Sequence, residues 1–443
     1  MLKDFLKKFI PSFLFSWYHF CLAFLGAVFY GFPSRFRPAL REFGGQARKL
    51  IVIGVTGTNG KSTVVELTAK ILEEAGYKIA SLSSIQFKIG EKAWPNLLKM
   101  TMPGRFQLQK FLRQALDSGC KYAVLEVTSE GIKQYRHKFI DFDVAVFTNL
   151  TPEHIEAHGS FEKYREAKGK FFQSTKGIHI INLDDENSDY FLKFSANKKW
   201  TYGLEAGNSI GNDTNYKIQA TNYKIEQSGT TFEVQNMTFY LKLLGSFNIY
   251  NALAAICVGL SQEISLENCK VALEKVKGIS GRMEKVISEP FKVFVDYAFT
   301  PAALEKVYKT LNDLKAKNQT LEPKTICVLG AAGGGRDKWK RPVLGELASQ
   351  YCDEIIITNE DPYNENPMEI INQVAEGCKM PTKKILDRRE AIRKAMQSAQ
   401  PEDLVIITGK GSEPLMCVAG GRKISWDDRK IVREEFKKLQ QEN

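Results

Sequence analysis

The chain has 443 residues, of which 43% are hydrophobic and 26% charged, and carries a net charge of +11. It is too long for one ordinary core, so two or three domains are expected, and its composition is that of a globular protein. Its eight cysteines are scattered without a Cys-x-x-Cys pair, which excludes a zinc ribbon or a dithiol motif and fits a reducing cytosol.

The charge is uneven. The first fifty residues hold eight basic side chains (Lys3, Lys7, Lys8, Arg35, Arg37, Arg41, Arg48, Lys49) against two acids, Asp4 and Glu42, and so carry more than half of the net charge. No basic stripe interleaved with aromatics follows, which argues against nucleic acid. Between Phe9 and Ser34 there is no charged residue, and Phe13 to Phe32 would make a helix about 30 Å long, enough for a bilayer's hydrocarbon core. Trp17, Tyr18 and Tyr30 suit membrane interfaces. Three readings compete: a spanning anchor, a helix or re-entrant hairpin lying in one leaflet, and a soluble core helix or cleaved signal. The first is preferred on length, and the second stays close behind it because Ser12, Ser16, His19 and Gly26 dilute the apolarity. Basic flanks point to anionic lipid.

The next element is the buried strand Lys49–Thr56, which runs into Gly54-Val-Thr-Gly-Thr-Asn-Gly-Lys-Ser-Thr63 and then a helix, Lys61–Glu74. Such a loop lets backbone N–H groups close on phosphate oxygens at a helix N-terminus. Lys61 would reach the terminal phosphates and Ser62 would offer its hydroxyl to Mg²⁺. The spacing departs from the strict P-loop, with five residues between Gly54 and Gly60. A Gly-rich turn without a ligand is the plain alternative, and the attached Lys-Ser-Thr argues against it.

Further strands are expected at Ile79–Ser83, Tyr122–Glu126 and Val144–Thr148, with a helix over Gln107–Ser118. This alternation predicts a doubly wound parallel sheet. Short alternating segments, Tyr216–Ala220 and Thr230–Val234, suggest antiparallel strands at its edge. Helices follow at Ile249–Leu260 and Leu266–Lys275, then a hinge at Gly278–Arg282. A second α/β unit, Rossmann-like, is expected from Val293–Tyr297, Thr325–Leu329, Glu354–Ile357 and Leu404–Ile407. The predicted organisation is a hydrophobic segment over 1–45, a central nucleotide-binding domain over 46–280 and a C-terminal domain over 281–443.

Glu126 ends one strand and His154 follows another, where doubly wound folds bind ligands. Glu126 could equally be structural. For His154 alone a structural role is the simpler reading, because Mg²⁺ prefers oxygen ligands. From charge alone, Lys168 belongs to a solvated helix face.

Several of these segments resemble motifs of the Mur ligase superfamily of ATP-dependent amide-forming enzymes, most closely its muramyl-tripeptide-forming branch. The loop Thr56-Gly-Thr-Asn-Gly-Lys-Ser-Thr63 is similar to the family's nucleotide loop. Glu126-Val-Thr-Ser129, Thr148-Asn-Leu-Thr-Pro-Glu-His-Ile-Glu-Ala-His-Gly159 and Tyr164-Arg-Glu-Ala-Lys168 resemble further motifs. So do Gly245-Ser-Phe-Asn-Ile-Tyr-Asn251, Gly281-Arg-Met-Glu284, Asp296-Tyr-Ala-Phe-Thr-Pro301, Gly333-Gly-Gly-Arg-Asp-Lys338, Gly409-Lys-Gly-Ser-Glu413 and Asp427-Asp-Arg429.

The resemblance implies ATP held by Gly57, Thr58, Asn59, Gly60, Lys61, Ser62 and Thr63, with Asn248 near the adenine, Arg282 on phosphate and Asp296 near the ribose. It implies Mg²⁺ bound by Ser62, Glu126, His154 and a carbamylated Lys168. It implies substrate contacts from Thr101, Ser129, Arg336, Asp361, Tyr363, Gly409 and Glu413. Lys61, Lys168, Glu126 and His154 are the implied catalytic set. The expected reaction adds an amino acid to a muramyl-peptide acceptor through an acyl phosphate.

Four departures stand out. The family's uridine-nucleotide-binding domain does not precede the loop, and the hydrophobic segment stands in its place. Glu360-Asp-Pro-Tyr363 replaces an Asp-Asn-Pro-Arg that holds a diaminopimelate side chain, and the lost Arg removes a bidentate carboxylate partner. Phe299 and Ser412 each replace a His. Two other readings are a ligase or amidating subunit acting on a lipid-linked precursor at the cytoplasmic membrane face, and a nucleotide-binding scaffold without turnover. The sequence carries no signal for oligomeric state.

Overall fold

The computed structural model describes residues 12–35, 49–204, 216–315 and 323–442. The basic residues Lys3, Lys7, Lys8, Arg37, Arg41 and Arg48, with Asp4 and Glu42, lie outside them.

Eleven strands form one large sheet. They are β1 (Ile51–Thr56), β2 (Ile79–Leu82), β3 (Gln86–Ile89), β4 (Lys92–Pro95), β5 (Tyr122–Glu126), β6 (Val144–Phe147), β7 (Ile178–Asn182), β8 (Lys198–Gly203), β9 (Tyr216–Glu226), β10 (Gly229–Val234) and β11 (Met237–Leu241). Their order is β11-β10-β9-β8-β7-β6-β1-β5-β2-β3-β4. The middle of the sheet is parallel, as the alternation of apolar runs and helices predicts. The expected antiparallel edge is present in β9–β11, although β9 itself pairs in parallel with β8. A second antiparallel edge, β2–β3–β4, was not expected. Its outer strand, Lys92–Pro95, is short and exposed, so it lacks the alternation that marks a half-buried strand.

Each face of this sheet carries its own core. On one, Val64, Leu67 and Ile71 of the helix Lys61–Glu74 pack with Ile249, Leu253 and Ile256 of the helix Ser246–Ser261. On the other, Leu108, Phe111 and Leu112 meet Val52, Ala123 and Phe147.

The second sheet contains β12 (Glu284–Ile287), β13 (Lys292–Val295), β14 (Thr325–Leu329), β15 (Glu354–Thr358), β16 (Lys383–Ile385) and β17 (Leu404–Ile407), in the order β12-β13-β17-β14-β15-β16. All pairings but β12–β13 are parallel. Two further cores cover its faces. Among them the buried guanidinium of Arg388 grips both oxygens of Asp428 at 2.9 and 2.7 Å, tying the last helix to the helix Arg388–Ser398. One cysteine pair is bonded after all. Cys327 on β14 and Cys352, at the end of the helix Lys340–Tyr351, form a disulfide with Cα atoms 6.0 Å apart. A separation of 25 residues carried no pattern that would announce it.

The N-terminal hydrophobic segment is an 18-residue helix, Ser12–Phe29. It does not stand apart from the body as a spanning anchor would. Ala23 and Ala27 are buried, and Gly26 lies against Phe106. The rings of Phe20 and Phe24 meet Phe139 edge-on at 5.1 and 5.4 Å. Among the described residues, no helix is long and apolar enough to cross a membrane. The spanning reading is therefore corrected. Ala23, Gly26 and Ala27 form the seam by which the helix docks on protein. Its other face is open, with Trp17 68% and Phe29 74% exposed.

Candidate functional site

The chemistry-bearing loops all leave the carboxyl ends of β1, β5 and β6, three neighbours in the sheet. The loop after β1 is tight. Gly57 has φ +151, and a Cβ there would sit 1.9 Å from Thr148 Oγ1. Gly60, at the helix N-terminus with φ +82, would place a Cβ 2.4 Å from Asn251 Oδ1. Glycine is required at both positions by conformation and by space. Thr148 Oγ1 donates to Asn59 O at 2.7 Å, and Asn59 N donates to Asn149 Oδ1 at 2.9 Å. The strand exit of β6 thus holds the loop open before any ligand arrives.

Lys61 Nζ donates to Thr58 O at 2.8 Å and stands 3.7 Å from Glu126 Oε1. Burial lowers its pKa, against the pull of Glu126. Ser62 Oγ donates to Glu126 Oε2 at 2.7 Å, and Ser84 N donates to the same oxygen at 3.0 Å. A hydroxyl and a carboxylate this close to a phosphate loop are the oxygen donors a hard divalent cation takes, so the residues present fit Mg²⁺.

His154 has φ +57 and lies against Tyr164, with ring centroids 5.8 Å apart. Burial first, then Lys168, Lys340 and Lys61, push its pKa down to about 2, so the imidazole is neutral and keeps a free lone pair.

Lys168 overturns the reading from charge alone. It is not on a solvated face but 1% exposed, with Nζ donating to Gly57 O at 2.7 Å from beneath the loop. Burial, reinforced by Lys61, holds its pKa well below the usual lysine value.

A cavity of about 830 Å³ opens over the loop. Of the residues expected at the site, Gly57 and Lys168 lie behind its wall and the remainder line it. From the second sheet's side come Arg282, Asp296, Arg336, Asp361, Tyr363, Gly409 and Glu413. Arg282 Nη2 reaches Ser84 Oγ at 3.0 Å and Ser62 Oγ at 3.4 Å, and its guanidinium stacks over Tyr297 at 4.4 Å. Asp296 accepts from the N–H groups of Met283 and Ala298, both at 2.6 Å, and so also shapes the entry into the second unit. Asn248 bonds Leu244 O and Asn251, fixing the helix that backs Gly60. Phe299, where the family carries a His, lies under Lys340 Nζ at 4.9 Å.

Sequence reasoning missed several participants. Lys340 and Glu153 form a buried ion pair of 2.7 Å between the two units. Asp337 accepts from the N–H groups of Ile155 and Glu156, at 3.2 and 2.9 Å. Lys410 contacts both Asp361 and Glu413. Arg136 lines the cavity and donates to Met102 O. Lys410 and Glu153 lay inside quoted motifs, but no local pattern pairs Glu153 with Lys340, 187 residues away. Glu360, beside Asp361, is driven up to about 7 by burial and by that neighbouring charge.

A preformed phosphate loop on one sheet, closed over by a cationic and acidic wall from another, defines a two-domain nucleotide-dependent ligase. Comparison with known proteins makes the class specific. Residues 55–259 match the Mur ligase middle domain and residues 281–411 match the Mur ligase, glutamate ligase domain. A UDP-N-acetylmuramoyl-L-alanyl-D-glutamate–2,6-diaminopimelate ligase of Caldanaerobacter subterraneus is 39% identical over 399 residues, 87% of this chain and 78% of that protein. A UDP-N-acetylmuramyl-tripeptide synthetase of a Roseiflexus species is 34% identical, covering 94% and 82%. The solved structure of another diaminopimelate ligase superposes with a TM-score of 0.58 at 31% identity, covering 88% and 79%. A folylpolyglutamate synthase of Mycobacterium tuberculosis superposes at 0.68 with 16% identity, covering 88% and 92%, and so shows the fold alone.

The chain belongs to the Mur ligase family. It is an ATP-dependent, Mg²⁺-using enzyme that forms amide bonds and releases ADP.

Proposed function

We propose that this chain adds an amino acid to the free carboxylate of a muramyl-peptide acceptor in the cytoplasm. In this reading residues 46–280 bind the nucleotide, 281–443 present the amine, and 1–45 associate with a membrane surface. The observation that carries it is one cavity lined both by Thr58–Thr63 of the first unit and by Asp361, Tyr363 and Glu413 of the second. The γ-phosphoryl group passes from ATP to a carboxylate oxygen of the acceptor. The amine nitrogen then attacks the acyl carbon, loses a proton, and phosphate departs with that oxygen.

Lys61 and Arg282 neutralise charge on the transferring phosphoryl group, the main demand in such chemistry. Mg²⁺, when bound, adds to that neutralisation, with Ser62, Glu126, His154 and a carbamylated Lys168 as its holders. Thr101, Ser129 and Arg336 orient the acceptor and the amine, and Asp361, Tyr363, Gly409 and Glu413 frame the amine. The contacts between Glu153 and Lys340 and between Asp337 and the backbone of residues 155–156 hold the two units closed, which keeps water from the acyl phosphate. The test is amine-dependent phosphate release with UDP-muramoyl dipeptide and a panel of amino acids, with product mass read in parallel. A gain of one amino-acid residue is expected. ATP turnover without any amine-dependent product would refute the assignment.

A second reading has an observation of its own. The open face of the helix Ser12–Phe29 presents Trp17, Tyr18, Leu25 and Phe29 in a chain whose first fifty residues are strongly basic. An apolar face beside cationic flanks suits the surface of an anionic leaflet. It favours an enzyme working at the cytoplasmic membrane face, where a lipid-linked acceptor would be within reach. The full chain is expected to float with phosphatidylglycerol vesicles and to lose most of that binding in a Trp17→Ser/Phe29→Ser double variant. A wild-type chain that stays with the soluble fraction would remove this reading.

A further inference from the structure

Lys99 lies on the connection between β4 and the helix Arg105–Asp117, in a left-handed backbone conformation with φ +54. The connection is pinned. Asn96 Nδ2 donates to Ser83 O at 3.0 Å and to Met100 O at 3.1 Å, and Asn96 Oδ1 accepts from Leu98 N. From there the Lys99 side chain crosses to the other unit. Its ammonium ends between Asp361, at 2.7 Å from Oδ2, and Glu413.

The same two carboxylates already have a cation of their own. Lys410 Nζ stands 3.0 Å from Asp361 Oδ1 and 2.7 Å from Glu413 Oε2, and also donates to Leu415 O at 2.8 Å. Tyr297 Oη donates to Glu413 at 3.1 Å, and Cys417 N donates to Asp361 at 2.7 Å. Two carboxylates thus face two ammonium groups. Lys410 is fully buried within its own domain, whereas Lys99 is the member contributed from across the cavity, and its side chain is 8% exposed. Burial pulls the pKa of Lys99 down, but Glu413 and Asp361 outweigh it and keep the group a cation.

Without Lys99 the cluster would carry one net negative charge on the wall that faces the phosphate loop. A second ammonium on an incoming amino acid is the natural occupant of such a site.

We propose that Lys99 is an internal competitor for the amine substrate, holding the place between Asp361 and Glu413 that the substrate's non-reacting cationic group takes during turnover. It acts as a specificity-determining residue. An amino acid with a cationic side chain can displace it by offering the two carboxylates an equivalent partner, and a neutral one cannot. This inference rests on the ligase reading above only in placing the amine on this wall.

The test compares Lys99→Met with wild type and with Lys99→Arg, using L-lysine as the probe. Calorimetric binding of L-lysine to the full chain, with a non-hydrolysable ATP analogue present, is expected to tighten roughly tenfold in Lys99→Met and to stay near wild type in Lys99→Arg. In turnover the KM for L-lysine should fall by a similar factor while the KM for ATP holds. Because removing one partner from a buried cluster can loosen the fold, thermal midpoints are read alongside. Unchanged or weaker L-lysine binding in a folded Lys99→Met chain would overturn the proposal, and so would failure of all three proteins to bind L-lysine. A wild type that binds L-lysine but yields no amide with UDP-muramoyl dipeptide would instead count against the proposed acceptor and leave the competition measurable.

Discussion

Lys61→Ala is expected to lower kcat for ATP-dependent amide formation by about a thousandfold, the scale seen when a preorganised group facing transition-state charge is removed. Lys61 opens the helix that receives the phosphates, and its ammonium now rests on Thr58 O and near Glu126. Neither contact is needed for folding, since Glu126 keeps Ser62 and Ser84 N as partners. The thermal midpoint should therefore move little while turnover collapses. Lys61→Arg should recover only a small part, because a planar guanidinium does not replace a compact point charge in a closed loop. Phosphate release measured at saturating ATP checks this. A kcat within tenfold of wild type would mean that charge neutralisation comes from elsewhere, with Arg282 the first candidate.

The second large effect concerns Lys168. Its burial under Gly57 holds its pKa well below the usual lysine value and so raises the share of neutral amine, which adds CO₂ to give a carbamate and a proton. The product is an anion beside the loop that holds the nucleotide. Lys168→Ala is expected to lose about three orders of magnitude in kcat, comparable with loss of a principal electrostatic group. Wild-type activity should also fall when dissolved CO₂ is stripped from the buffer and return on adding bicarbonate. A carbamate carbonyl should appear in the ¹³C spectrum of protein equilibrated with labelled bicarbonate. Full activity in CO₂-free buffer, with no such signal, would leave Lys168 as a structural prop for the Gly57 carbonyl.

The parts of this site that were legible in the sequence are those built by local pattern. Leu50–Ile53 followed by Gly57, Gly60 and Lys61 announces a strand, a loop and a helix in that order, and β1 and the helix Lys61–Glu74 follow it closely. Glu126 was recognisable because its strand is a short apolar run that ends on an acid. Lys168 was misread because its charge was weighed above its position. Tyr164, Lys168 and Phe171 share one helical stripe, and that stripe faces the core. The N-terminal segment was read by hydropathy and length, which cannot separate a face that packs on lipid from one that packs on Phe106 and Phe139. Lys99 carried no signal, and no local pattern paired Glu153 with Lys340. Their partners lie hundreds of residues away, and only the closure of two sheets on each other creates the contact.

The two sheets keep separate cores, and the phosphate loop belongs to one while Asp361, Tyr363 and Glu413 belong to the other. Substitutions in the turn after β15 can therefore change which nucleophile is accepted without touching the strands that aim the phosphates. Such an architecture is evolvable by halves: one half conserves an energy-coupled activation, and the other is free to drift toward whatever building block a given cell envelope supplies.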